Sequence, residues 1–429
     1  MMTGEAGRIL QRVLPERIVW AQPEYLPVNV AGIVEQVRAR GDAALFEFAH
    51  RFGDPPFREV APDELDAAFA ATSPELRRAM EAVAARIERF ALAQRASLGD
   101  FAYEIGGFRV GQQAIPVERV GIYVPGGCYP LPSSLLMGVV TARAAGVDQV
   151  LVCTPRALPE ILTAARIAGA DRVFQLGGAQ AIAALAFGTE SVPRVDCVAG
   201  PGNAYVAQAK RLVFGSCGVD TLAGPSEVAI IASAEAEAGW IAADLLAQAE
   251  HDTSSRVLLL TDDAALADAV DAALGEQIRW LETADTARAS LMRHGYACVV
   301  PLHEAIAITN RLAPEHLELH GSRAEELAPA ATAYGALFIG GQSAEVFGDY
   351  GIGPNHVLPT SSCARFAGGL SVFTFLTVRA FTRATGSLDA NIVDDTMELA
   401  RCEGLYGHLK AASCRGAASM DARPALLGS

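Results

Sequence analysis

Two short motifs carry the side chains best suited to hold a cation or move a proton. Gln248-Ala249-Glu250-His251 closes a run of helical periodicity, and Gln248 and His251, three apart, share one helix face. An amide oxygen and an imidazole on one face can reach one metal ion. An amide is a rare zinc ligand, however, and a histidine at a helix C-terminus also suits the helix dipole. Pro314-Glu315-His316-Leu317 follows a helix-like run. Adjacent residues cannot share a helix face, but at a helix end or turn both can point into one cleft. There the imidazole accepts protons near neutrality and the carboxylate activates water. As an isolated dipeptide, such a pair is more commonly a surface feature. Gly348-Asp349-Tyr350 and Asn355-His356 fall in a predicted glycine-rich loop after a strand, where Asp349 could ligate metal and His356 could bind substrate. Glu403 and His408 lie five apart on a helical segment, loosely on one side.

Glycine-rich turns follow three predicted strands: Pro125-Gly126-Gly127, Gly177-Gly178 and Gly200-Pro201-Gly202. The latter two open into helices, and helix N-termini beyond the carboxyl ends of parallel strands attract phosphate. No GxGxxG fingerprint is present, and Gly351-Ile352-Gly353 lacks the flanking strand and helix. Alone, these turns are a weak cofactor signal. His50, His294, His303 and His320 stand in charged or helical surroundings without companion motifs and are expected to be structural or exposed. Nothing resembles a Ser-His-Asp set, and no cysteine sits in an electropositive setting.

The elements that must position these groups follow from periodicity. Val28 to His50 and Pro74 to Ala96 read as helices, the second opened by Ser73-Pro74-Glu75. After Pro116, short apolar strands alternate with helices. The predicted strands are 119–124, 149–153, 172–176 and 195–199, with helices over 133–145, 159–168, 179–187 and 204–214. A second series has strands at 228–232, 256–261, 297–300 and 336–339, with a helix over 240–251. Such alternation builds parallel sheets with right-handed crossovers. The fold class is α/β: two Rossmann-like parallel-sheet domains, a helical N-terminal region and a helical C-terminal tail beyond Gly368. Gly224-Pro225 marks a plausible boundary.

Composition narrows the function. The chain has 429 residues, 51% hydrophobic and 19% charged with no low-complexity tract, which is enough for two domains and predicts that most of the chain is folded. A net charge of −15 repels phosphate backbones and anionic lipid, so neither nucleic acid nor membrane is expected as a partner. Residues 1–10 lack a secretory pattern, and the eight cysteines contain no CxxC pair. A reducing cytoplasm fits.

Taken in order, the segments resemble the histidinol dehydrogenase family over residues 28–410. The most specific stretch is Asp220-Thr221-Leu222-Ala223-Gly224-Pro225-Ser226-Glu227-Val228, followed by Gln248-Ala249-Glu250-His251. Gly121-Ile122-Tyr123-Val124-Pro125-Gly126-Gly127, Gly177-Gly178-Ala179-Gln180, Gly200-Pro201-Gly202-Asn203, Pro314-Glu315-His316-Leu317 and Asn355-His356-Val357-Leu358-Pro359-Thr360 complete the set. The resemblance implies Zn²⁺ on Gln248, His251, Asp349 and His408, and NAD against Tyr123, Gln180 and Asn203. It implies substrate held by Ser226, His356 and Glu403 together with Gln248, His251, His316, Asp349 and His408. His316 matches the general base and Glu315 the group that activates water. It further implies a homodimer with shared sites, in which Glu403 and His408 come from the partner's swapped tail. The implied layout is an arm over 1–18, a catalytic domain over 19–118 and 226–368, an NAD-binding domain over 119–225 and a tail over 369–429. The implied reaction is the four-electron oxidation of L-histidinol to L-histidine with two NAD, in histidine biosynthesis. Cys128-Tyr129-Pro130-Leu131, Thr377-Val378 and Tyr406-Gly407 depart from the family pattern. They leave open a related zinc and NAD enzyme for another amino-alcohol or diol, such as dihydroxypropanesulfonate, or a non-catalytic paralogue that binds nucleotide or metal.

Overall fold

The structure is a computed structural model that describes residues 8–18, 20, 29–126, 130–222 and 224–416. The segments 1–7 and 417–429, Val28, Gly127, Cys128, Tyr129 and Ala223 lie outside the described residues. By residue contacts the chain divides into two units, 1–95 with 117–375, and 96–116 with 376–429.

Chain order begins with β1 (Gln11–Arg12), α1 (Val30–Arg40), α2 (Asp42–Phe52), β2 (Arg58–Val60), α3 (Pro62–Ala71) and α4 (Pro74–Ser97). A hairpin follows, β3 (Phe101–Ile105) and β4 (Phe108–Pro116). The first alternating series is β5 (Arg119–Tyr123), α5 (Pro132–Ala145), β6 (Gln149–Thr154), α6 (Pro159–Ala168), β7 (Arg172–Gln175), α7 (Gly178–Phe187), β8 (Cys197–Ala199), α8 (Ala204–Val213) and β9 (Gly218–Val219). The second is β10 (Glu227–Ala232), α9 (Ala238–Ala249), β11 (Arg256–Thr261), α10 (Ala264–Gln277), α11 (Ala284–His294), β12 (Gly295–Val299), α12 (Leu302–Leu312), β13 (His316–His320), α13 (Ser322–Glu325), β14 (Ala336–Ile339) and α14 (Glu345–Tyr350). The chain closes with β15 (Leu376–Ala384), α15 (Ala390–Cys402) and α16 (Tyr406–Ser413).

The larger unit holds two six-stranded sheets, ordered β2-β7-β6-β5-β8-β9 and β1-β12-β11-β10-β13-β14. Every pair within β5–β9 and within β10–β14 is parallel. The strands read as continuous apolar runs because helices cover both faces, as parallel sheets require; β10 and β11 are buried at every position. Helix ends follow their sequence signals. Ser73 accepts the Leu76 N–H at the start of α4, and Gly146, at φ 91°, ends α5 with the left-handed conformation that glycine adopts without strain. The described cysteines are free thiols, and among the described residues no helix is long and apolar enough to cross a membrane.

Several elements differ from the expectation. Residues 30–60 do not join the later sheet. Val30, Ile33, Val34 and Val37 of α1 pack into the core of the first sheet with Ala181 and Leu185, and β2 extends that sheet antiparallel to β7. Residues 101–116 and 376–384 form a three-stranded antiparallel sheet, β15-β4-β3, in the smaller unit, where the first was unassigned and the second was expected to be helical. The hairpin turns at Gly106 and Gly107, at φ 53° and 83°, positions that favour glycine. Thr377 and Val378 lie in β15, and Tyr406 and Gly407 open α16.

Candidate active site

A cavity of about 930 Å³ opens in the larger unit, lined by residues from both sheets. Its walls come from the carboxyl ends of the first sheet, at Pro125 and Gly202-Asn203, as open α/β sheets favour. From the second sheet, however, they come from the amino ends: Ser226 before β10, Arg256 at the start of β11, and Glu315 and His316 at the start of β13. Glu315 and His316 thus stand at the entrance of a central strand and not at a helix end. The fully buried register of β13 between β10 and β14 decided that.

His316 is 4% exposed, and its Nδ1 lies 3.1 Å from the Glu227 carbonyl oxygen. That oxygen only accepts, so Nδ1 carries the proton and donates, and the lone pair falls to Nε2. Nε2 has no hydrogen-bond partner and lies 3.8 Å from Asp349 Oδ1. Burial lowers the imidazole pKa, against the opposing pull of Asp349, and keeps the ring neutral. The ring is therefore held as a base with its free nitrogen unspent.

Three buried carboxyls surround this ring. Glu315 Oε2 accepts the Glu227 N–H at 2.9 Å; burial, with the charges of Glu227 and Asp349, pushes its carboxyl well above the usual range. Glu227 accepts from Arg256 at 2.9 Å and from the Ser361 N–H at 3.1 Å, yet burial still raises it to about 7. Glu345 Oε2 lies 3.5 Å from His316 Nδ1 and is pushed well up by burial and by neighbouring Glu318. Sequence reasoning missed Glu345, although it stands four residues before Asp349 on one helix face.

The expected ligand and substrate residues fall into three groups. Ser226, His251, Glu315, His316, Asp349, His356 and Asn203 line the cavity. Asp349 belongs to α14 and not to a loop; its Oδ2 lies 3.9 Å from Nε2 of the half-exposed His251. His356 donates from Nδ1 to the Asp349 carbonyl at 2.8 Å and meets the Ser134 hydroxyl through Nε2 at 3.2 Å. A substrate contact to His356 must therefore displace Ser134, a cavity residue absent from the sequence reading.

Gln248, Tyr123 and Gln180 form a second group, buried and not among the residues that line the cavity. Both amide atoms of Gln248 lack partners, and an orphaned buried amide costs about 1–3 kcal/mol. That cost fits a side chain kept for a ligand, and with His251 and Asp349 it supplies the nitrogen and oxygen donors that zinc accepts. Tyr123 receives the Gly178 N–H on its hydroxyl at 3.1 Å, and burial pushes its pKa to about 12. Asn203 spends its side-chain oxygen capping α8, on the Tyr205 and Val206 N–H groups. Glu403 and His408 form the third group, both exposed in the smaller unit, Glu403 capping α15 and His408 within α16. His320, expected to be structural or exposed, is buried, and with Asp244 and Glu318 forms the one set of metal-capable groups found together among the described residues.

The sequence profile of the Histidinol dehydrogenase family matches residues 21–416. The chain is 44% identical to "Histidinol dehydrogenase" of Rhizobium meliloti over 396 residues, which is 90% of this chain and 91% of that protein. The chain belongs to the histidinol dehydrogenase family. It is also 45% identical to "Histidinol dehydrogenase" of Thermus thermophilus over 387 residues, 90% of this chain and 93% of that one. The crystal structure of histidinol dehydrogenase from Elizabethkingia anophelis superposes with a TM-score of 0.86 at 34% identity, covering 95% of this chain and 94% of that one. The family resemblance read from the motifs is thus shown, as is the α/β fold with parallel sheets and a helical tail. As a histidinol dehydrogenase family member the protein is an NAD-linked oxidoreductase.

Proposed function

We propose that this enzyme oxidises L-histidinol to L-histidine in two successive hydride removals, at a zinc site completed by a second copy of the chain, in the cytoplasm. The observation that carries the reading is the unpartnered Nε2 of His316, fixed as a base beside Asp349 at the wall of the cavity. Gln248, His251, Asp349 and His408 of the partner subunit would hold Zn²⁺. Tyr123, Gln180 and Asn203 would flank NAD, and Ser226, His356 and Glu403 of the partner subunit would hold the substrate. When bound, the metal would polarise the substrate oxygen as a Lewis acid and NAD would accept hydride.

The chain's own residues do the rest. His316 takes the hydroxyl proton on Nε2, and its Nδ1–H stays anchored to the Glu227 carbonyl, so the ring does not turn as its charge changes. Glu315, held by the Glu227 N–H, faces the same cavity and orients the water that adds to the aldehyde. Burial shifts its carboxyl toward the protonated form, and water is activated from the carboxylate form. Once His316 has released that first proton to solvent through the cavity, its Nε2 is again free to receive the hydroxyl proton of the hydrated aldehyde in the second oxidation. Zinc-loaded protein with L-histidinol is expected to yield two NADH per substrate and L-histidine; one NADH per turnover would sink the reading.

A further inference from the structure

β13 presents His316, Glu318 and His320 at alternate positions, so all three side chains point from one face of the sheet, and all three are buried. Two helices bring partners at i and i+4: Asp244 and Gln248 on α9, Glu345 and Asp349 on α14. The result is two rows. His316 and Asp349, which line the cavity, and the buried Gln248 make one row. Glu318, His320, Asp244 and the start of α14 make the row beneath it.

Glu318 joins every element of the lower row. Its Oε1 accepts the N–H of Glu345, the first residue of α14, at 2.8 Å. Its Oε2 lies 3.0 Å from His320 Nε2, and ligand atoms of Glu318, His320 and Asp244 on α9 all lie within 4.8 Å of one another. α14 has only six residues, too few to hold a helix by its own hydrogen bonds, so an acceptor for its first N–H groups matters more than usual.

We propose that Glu318 is a positioning residue, which ties α9 and α14 to β13 and thereby fixes Gln248 and Asp349 relative to His316. The proposal rests on the ligand set of the preceding section. Its physical basis is the usual dependence of a metal site on the groups behind its ligands, whose loss weakens metal binding by about 10–100-fold. The arrangement has a cost that points the same way. Asp244, Glu318 and Glu345 are buried together, and the only ion pairs their carboxyls make among the described residues are with His316 and His320. Burial and the neighbouring Glu318 push Asp244 to about 8. A cluster of buried acids serves packing poorly, so its presence beside the site is explained by what it holds in place.

The test separates positioning from stability. Glu318→Leu removes the acceptor and one buried acid, and Glu318→Gln keeps an amide oxygen for the Glu345 N–H. Zinc affinity is measured by chelator competition, metal content by elemental analysis, and Tm on the metal-free proteins. The expected result is a 10–100-fold loss of zinc affinity in Glu318→Leu, with the metal-free Tm unchanged or raised. Glu318→Gln should recover most of the affinity. Unchanged affinity in Glu318→Leu, or a loss matched by a fall in the metal-free Tm, overturns the proposal. Disappearance of a second equivalent of zinc also overturns it, because Glu318 would then be a ligand itself, with Asp244 and His320. Asp349→Asn, measured alongside, distinguishes the two levels. If it keeps full zinc affinity, the ligand set falls and the proposal with it; if it loses zinc while Glu318→Leu does not, only the positioning role falls.

Discussion

The two sheets of the larger unit share one plan and divide the chemistry unequally. Numbered from the first strand of each series, both β5–β9 and β10–β14 run 3-2-1-4-5, and both gain an edge strand from the N-terminal segment, β2 beside β7 and β1 beside β12. The fourth strand marks the difference. In the first sheet it is β8, Cys197-Val198-Ala199, buried and apolar. In the second it is β13, His316-Leu317-Glu318-Leu319-His320, whose alternate positions are ionisable and equally buried. The first sheet meets the cavity through its carboxyl-end turns; the second meets it at its amino ends through side chains. A single topology can thus supply a turn-built wall or a side-chain-built one, depending on which residues fill the fourth strand of the series.

Substitutions can break that comparison. The largest effect is expected for His316→Asn, which should lower kcat by about 10²–10⁴-fold with zinc content intact. Loss of the metal instead would show that His316 is a ligand. Next, Gln248→Leu should abolish tight zinc binding, and by removing an orphaned amide it should stabilise the metal-free protein by about 1–3 kcal/mol in chemical denaturation. A destabilised metal-free variant would mean that the amide has a packing role.

A pH series sharpens the contrast between sheets. Glu227 at about 7, Asp244 at about 8, and Glu315 and Glu345 well above their ordinary value keep protons in the fold that the unfolded chain has released. The folded state therefore binds more protons than the unfolded one through this window, so stability falls as pH rises from about 4.5 to about 8. His316 and His294, both with lowered pKa, act in the opposite sense, two groups against these four. The buried thiols and Tyr123 of the first sheet titrate only in the alkaline range and add no slope there. The metal-free Tm should accordingly decrease from pH 5 to pH 8; a rise would show that the buried acids of the second sheet are ionised in the fold. The smallest effect is expected in the first sheet. Val198→Ala in β8 should cost roughly 1–3 kcal/mol of stability and leave kcat nearly unchanged.

The alternating series was legible because each strand is a short apolar run closed by Gly or Pro. The predicted strands 256–261 and 336–339 and the helix 159–168 coincide with β11, β14 and α6. β13 was missed because His-Leu-Glu-Leu-His alternates polar and apolar like a half-exposed strand, while the structure buries both faces. α14 was missed because Gly348 and Gly351 disguise six helical residues as a loop. β3 and β4 did carry a signal, the alternation of Phe101, Tyr103 and Ile105 before Gly106-Gly107, and it went unread.

By itself the sequence determined which residues could do chemistry, because ordered motifs and the period of apolar residues are local properties. Only the tertiary structure decided that Glu227 fixes the tautomer of His316 and that Glu318 accepts from the first residue of α14 while it faces His320. Each of these is a contact between distant segments. Hydrogen-bond partners and burial, which set what a titratable group can do, exist only once the chain has folded.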